Sequence, residues 1–257
     1  MKRVLTALVL APLIVYVVLW SPPLALLAVT SLVALLCYHE YTGIAAAYQA
    51  GTFGPLGYAA GLLVLALPAA AAALWAAVAA ALTALSLALR ADDVRAGIVR
   101  AAFLLLGVVY IFGCWRFAIL LGAQNRYWLL YALVLNWMGD IGAYYVGRTL
   151  GRHKLAPVVS PGKSWEGSAA SLAASLLFGF CFLHWAIPEV PAVVALSLTA
   201  AANIAGQFGD LCESALKRGA GVKDSGTLLP GHGGMLDRVD SSLFTLPIVY
   251  LYVAGRW

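Results

Sequence analysis

The sequence predicts an all-α polytopic integral membrane protein, and three observations carry that prediction. Of 257 residues, 63% are hydrophobic and only 11% charged, where an ordinary soluble domain carries roughly 25% charge. Mean hydropathy is +0.91. Several apolar stretches approach the roughly 20 residues that a helix needs to cross a bilayer core. A soluble globular enzyme, a disordered chain and a disulfide-stapled fold are excluded together.

Read between charges and Gly/Pro breaks, the apolar runs give about nine transmembrane helices, near 4–20, 23–39, 53–67, 69–89, 101–122, 127–147, 168–187, 191–209 and 241–255. The first follows Lys2 and Arg3 as a signal peptide would, but Ser21-Pro22-Pro23 offers no small-x-small cleavage site, so a retained span is expected. The third is short and interrupted by glycine, which suits a tilted or partly interfacial helix. With a cytoplasmic N-terminus, segments 90–100, 148–167 and 210–240 share one side of the membrane. That side then holds Lys2, Arg3, Arg90, Arg95, Arg100, Arg148, Arg152, Lys154, Lys163, Lys217, Arg218, Lys223 and Arg238, leaving Arg126 and Arg256 outside and Arg116 within a span. This satisfies the positive-inside bias. It also accounts for the net charge of +5 without a nucleic-acid partner, since the basic residues form no dense patch. Cys37, Cys114, Cys181 and Cys212 are scattered, form no CxxC pair and serve mostly as small hydrophobes.

Residues 1–126, rich in Ala, Leu and Val, read as transmembrane scaffold, and 127–257 as the catalytic part of one integrated membrane domain, with cytoplasmic loops at 148–167 and 210–240. Eight of the eleven acidic residues lie between Asp140 and Asp240, among eight basic ones. Three polar constellations stand there. In the run Asn136 to Arg148, Asp140, Tyr144 and Gly147 share one helix face, and the small residues at 139, 142, 143 and 147 permit close helix contact. A carboxylate at membrane depth costs about 2.5 to 3.5 kcal/mol on insertion scales unless it faces protein or water, so Asp140 needs a partner or a site.

The second constellation, Ser160-Pro161-Gly162-Lys163-Ser164-Trp165-Glu166-Gly167-Ser168, reads as a Pro161-Gly162 turn followed by a helix start. Exposed amides there, with Lys163 and Ser164 beside them, suit a phosphate. Lys163-Ser164 echoes the end of a P-loop, but the glycine spacing and the preceding strand are missing, so a Walker motif is rejected.

The third is the most informative. Asp210, Glu213, Ser214 and Lys217 fall at i, i+3, i+4 and i+7 on one helix face, while Asp237 and Asp240 lie three apart at a second helix start. Between them run Arg218, Lys223, Asp224, His232 and a set of glycines at 219, 221, 226, 231, 233 and 234. A loop that rich in glycine can wrap a ligand and offer it backbone amides. Carboxylates on two helices, interleaved with lysines and arginines, are what a magnesium-bound triphosphate requires. The alternative is a salt-bridged loop at the membrane surface.

The run from Ser214 to Asp240, S-A-L-K-R-G-A-G-V-K-D-S-G-T-L-L-P-G-H-G-G-M-L-D-R-V-D, resembles the signature of the phosphatidate cytidylyltransferases, or CDP-diglyceride synthases. D-I-G-A-Y-Y-V-G-R from Asp140 and S-P-G-K-S-W-E-G from Ser160 resemble that family's other two stretches, in the same order. Ser164 stands where threonine is more usual, and the hydroxyl is kept. The likeness covers residues 136–245, and the first half is similar only in hydropathy.

The resemblance implies transfer of CMP from CTP to phosphatidate, giving CDP-diacylglycerol and pyrophosphate at the cytoplasmic face of a bacterial-type inner membrane. Asp210, Lys217, Arg218, Lys223, Asp224, His232, Asp237 and Arg238 are then the catalytic candidates. Asp140, Tyr144, Ser160, Lys163, Ser164, Glu166, Ser214, Gly233 and Gly234 are substrate-binding candidates. Asp210, Asp237, Asp240 and Glu213 are candidate ligands for Mg2+, with a monovalent cation such as K+ as a second expected ion. CTP, phosphatidate and the lipid bilayer are the expected partners, with a homodimer left open. Rival readings are a related isoprenoid-lipid cytidylyltransferase, a CTP-dependent lipid kinase and an ion-coupled transporter.

Overall fold

A computed structural model describes residues 2–48, 52–228 and 233–255, with side chains from residue 10 onward. The described residues form nine helices: α1 (Lys2–Trp20), α2 (Pro23–Ala47), α3 (Pro55–Ala66), α4 (Ala70–Ala88), α5 (Val94–Gln124), α6 (Arg126–Leu150), α7 (Trp165–Ala186), α8 (Ala192–Gly219) and α9 (Leu236–Ala254). Five of them, α2, α4, α5, α7 and α8, are long and apolar enough to cross a membrane. The architecture is that of a helical, multi-pass membrane protein.

It is not purely helical. A two-stranded antiparallel hairpin, β1 (Lys154–Ala156) with β2 (Ser160–Ser164), separates α6 from α7. The turn falls on residues 157–159, before the expected Pro161-Gly162 position, and Pro161 and Gly162 lie within β2. A two-stranded hairpin of this kind carries little periodic signal, since its strands are three and five residues long. Helix α2 runs eight residues past its expected end at His39, to Ala47.

The chain divides into two compact units. One comprises Met1–Leu10, Pro22–Ile119 and Leu216–Arg238. Its core is aromatic: Tyr38 and Tyr41 of α2 and Phe112 of α5 are fully buried, and the Tyr38 ring lies 5.3 Å from that of Phe112 and 4.9 Å, edge-on, from that of Tyr58. Gly57 and Gly61 of α3 face Tyr38 and Phe112, and no Cβ would fit at either position. The glycines that interrupt the third helix therefore seat rings against its backbone. Phe112 reaches α3 from a π-helical turn, Val108–Gly113, set within α5.

Helix α3 is only 12 residues long and its C-terminal carbonyls lack partners along the helix. The buried Arg116 supplies them: its guanidinium donates to the carbonyls of Val64 at 2.8 Å, Leu67 at 2.5 Å and Pro68 at 3.1 Å. A cation at a helix C-terminus also meets the negative end of the helix dipole.

The other unit comprises Ala11–Ser21, Leu120–Ala215 and Val239–Trp257. Here Arg126 does the same for α1, donating to Val18 O at 2.7 Å and Ser21 O at 2.9 Å. Two of the three arginines that the expected topology leaves off the cytoplasmic side are thus helix caps. Helices α6 and α7 pack through small residues: a Cβ on Gly139 would come 2.7 Å from Ser171 Oγ, and one on Gly142 would come 2.7 Å from the Ala170 carbonyl. Asn136, Ser171, Ser175, Thr199, Asn203, Ser242 and Thr245 are buried among these helices. Their groups satisfy one another, as with Thr245 Oγ1 to Asn136 Oδ1 at 2.9 Å and Asn203 Nδ2 to Ser175 Oγ at 2.9 Å. All four thiols are free.

Replacing Arg116 by alanine is expected to cost about 1–3 kcal/mol for each buried carbonyl left without a donor. Arg95→Ala, at an exposed position, is expected to stay within about 0.5 kcal/mol. Thermal denaturation in detergent compares the two.

Candidate active site

Two polar groups emerge, one in each unit. The first is a cleft of about 570 Å³ in the unit holding α6–α8, lined among others by Asp140, Tyr144, Arg148, Lys163, Ser164 and Asp210. The helix face expected from Asp140, Tyr144 and Gly147 does line a single surface, since all three border the cleft. Asp140 is exposed there. Lys163 projects from β2 and pairs with Asp210 of α8 at 2.6 Å, and Asp210 also accepts from Ser214 Oγ at 3.3 Å. Arg148 donates to Tyr144 Oη at 2.8 Å and lies over its ring. The cleft wall therefore carries one carboxylate–ammonium pair, a second carboxylate and a guanidinium.

The hairpin is locked to the helix that follows it. Ser164 caps α7 by accepting the Gly167 N–H at 3.1 Å, as its position three residues ahead suggests. Glu166, in the first turn, accepts from the backbone N–H of Arg152 and His153 and pairs with His153 Nδ1 at 2.6 Å. Glu166 and Ser160 lie outside the cleft lining, so Glu166 braces the loop carrying Lys163. Glu213 is fully buried, and neither it nor Ser214 or Asp240 lines the cleft.

Asn136, Ser171, Asn203 and Gln207 also line the cleft and are absent from the expected site. Gln207 donates to Asn203 Oδ1 at 2.7 Å and bonds Ser168, while Asn203 donates to Ser171. The signal was present: Asn203, Gln207, Asp210 and Ser214 continue one helical stripe at i, i+4, i+7 and i+11.

The second group belongs to the other unit and centres on Asp237, at the start of α9. Its side chain is almost fully buried and pairs with the equally sheltered Lys217 at 2.5 Å. It accepts further bonds from the backbone N–H of Ser225, at 3.0 Å and 3.2 Å to its two oxygens, and of Gly234 at 2.7 Å. Arg218 donates to the Val222 carbonyl at 3.0 Å, and Lys223, Asp224 and Arg238 are exposed. His232 lies outside the described residues.

The glycines are only partly what the sequence suggests. Gly221 and Gly233 have positive φ, 73° and 79°, which a side chain would resist. Gly219, Gly226 and Gly234 are instead places of close approach: a Cβ on Gly219 would strike Tyr48 Oη, and one on Gly226 or Gly234 would strike the carboxylate of Glu40. Much of this loop is packed against side chains.

Among the described residues no three His, Cys, Asp or Glu side chains converge on one point. Asp210 and Asp237 nevertheless offer hard oxygen donors of the kind magnesium prefers, and each is paired with a lysine ammonium.

Comparison with known proteins adds the decisive observation. A model of the cytidylyltransferase family matches residues 1–255. The chain belongs to the cytidylyltransferase family. It is 43% identical over 155 residues to a phosphatidate cytidylyltransferase of Bacillus subtilis (strain 168), a stretch covering 59% of this chain and 58% of that protein. It is 42% identical over 149 residues to a phosphatidate cytidylyltransferase of Staphylococcus aureus (strain COL), covering 58% and 57%. The aligned part thus spans less than two thirds of these relatives' length.

Removing the α7 cap by Ser164→Ala is expected to cost about 1 kcal/mol of stability, whereas Ser164→Thr keeps the hydroxyl and most of that stability. Parallel melting curves of the two variants and the wild type check this.

Proposed function

We propose that this member of the cytidylyltransferase family is a phosphatidate cytidylyltransferase, moving CMP from CTP to phosphatidate in phospholipid biosynthesis. The observation that carries the reading is the cleft in which the Lys163–Asp210 pair faces Asp140 and Arg148. Basic groups there can hold phosphate while carboxylates keep the opposing charge in place. The names of the aligned relatives support the lipid substrate.

In this reading a phosphatidate oxygen attacks the α-phosphorus of CTP in line, a new P–O bond forms, and the α–β bridging bond breaks to release pyrophosphate. Positioning and charge neutralisation supply most of the acceleration. Lys163 and Arg148, which line the cleft, steady the phosphates, since the leaving pyrophosphate gains negative charge. A phosphate monoester has its second pKa near 6, so the attacking oxygen needs no strong base, and no general-base role is proposed for His232. Asp210 and Asp237 would each offer a carboxylate ligand to magnesium, which would withdraw charge from the triphosphate, while Asp240 and Glu213, expected as further ligands, join no group of three such side chains among the described residues.

The proposal extends to topology. Nine spans with a cytoplasmic N-terminus put both charged loops at the cytoplasmic face of the inner membrane, where CTP is found and phosphatidate arrives laterally between helices.

Asp210→Asn or Asp237→Asn, in folded protein, is expected to abolish CTP- and magnesium-dependent formation of CDP-diacylglycerol. Extraction of lipid after incubation with both substrates measures this, and retained turnover removes the metal assignment.

A further inference from the structure

Glu40 lies in α2, 196 residues before Leu236, in the stretch the sequence marks as scaffold. It is nonetheless buried, 7% exposed, and an ionised carboxylate removed from water needs several donors. The structure provides three. Oε1 accepts the Met235 N–H at 2.8 Å, and Oε2 accepts the Leu236 N–H and the Ser225 hydroxyl, each at 2.8 Å. Met235 and Leu236 open α9, where the first N–H groups have no partner within the helix. Glu40 therefore caps α9 from another helix.

The same bonds reach Asp237. Ser225 donates its hydroxyl to Glu40, accepts the Asp237 N–H on that hydroxyl at 3.3 Å, and donates its own N–H to the Asp237 carboxylate. Glu40 thus fixes both ends of the segment whose amides hold Asp237. It also explains why positions 226 and 234 are glycine, since a Cβ at 226 would come 2.7 Å from Glu40 Oε1 and one at 234 would meet Oε2.

We propose that Glu40 is a positioning residue for the reaction, a carboxylate cap that sets the orientation of Asp237 through Ser225 and the Met235 and Leu236 amides. This deepens the proposed function and rests on it. Glutamine cannot replace it: it has one acceptor oxygen, and its NH₂ would face an N–H donor. Groups that orient a metal-binding carboxylate are typically worth about 10- to 100-fold in activity or metal affinity.

The test uses the full chain purified in detergent. Glu40→Gln is expected to lower kcat about 10- to 100-fold, to raise the Mg2+ concentration for half-maximal rate and to leave KM for phosphatidate near the wild-type value. In the wild type, hydrogen exchange is expected to find the Met235 and Leu236 amides protected, and in Glu40→Gln to find that protection lost. Ser225→Ala keeps both amide bonds and is expected to fall between the two in kcat. Wild-type kcat and wild-type protection in Glu40→Gln overturn the inference. If Glu40→Gln does not fold, unprotected Met235 and Leu236 amides in the wild type, or an unchanged kcat in Ser225→Ala, overturn it instead. A wild type that makes no CDP-diacylglycerol yet shows the protection, and loses it in Glu40→Gln, overturns the proposed substrate while leaving the Glu40 cap in place.

Discussion

A charge or backbone polar group withdrawn from water must find its partner inside the protein, and the rest of this structure follows from that constraint. With 11% charged residues in a 63% hydrophobic chain, several charges serve as helix caps or paired groups. Arg116 and Arg126 close the ends of α3 and α1. Glu40 opens α9, Lys217 sits against Asp237, and Lys163 sits against Asp210. Breaking such a pair from one side leaves the other charge uncompensated, which is costlier than the pair is stabilising.

The helical architecture was legible because hydropathy reports directly what a bilayer tolerates. One polar face was legible as well: Asp140, Tyr144 and Gly147 share a surface because helical spacing requires it, and Ser164 caps the helix that its position announces. What periodicity could not supply was tertiary use. Arg116 reads as an anomaly in a span until the carbonyls of Val64, Leu67 and Pro68 are seen around it. The use made of Glu40 could not be read from its neighbours in the chain, because its partners lie 185 to 196 residues away. The β1–β2 hairpin escaped notice because its strands are too short to show a pattern and begin beside Gly151 and Arg152, which look like loop.

Glycine in the 219–234 region carries two meanings that composition merges. Gly221 and Gly233 adopt a backbone conformation that other residues resist, whereas Gly226 and Gly234 leave room for a carboxylate. The first kind shapes a turn, and the second allows close approach of the Glu40 carboxylate. Glycine content alone thus does not mark a segment as free of contacts.

The central claim is that the chain transfers a cytidylyl group to a lipid phosphate. Parallel reactions with CTP labelled at the α- or the γ-phosphorus, phosphatidate and Mg2+, followed by solvent extraction, test it most directly. The account predicts α-label in the lipid phase and γ-label in aqueous pyrophosphate. Label from the γ-position in the lipid, or none from the α-position, would contradict it.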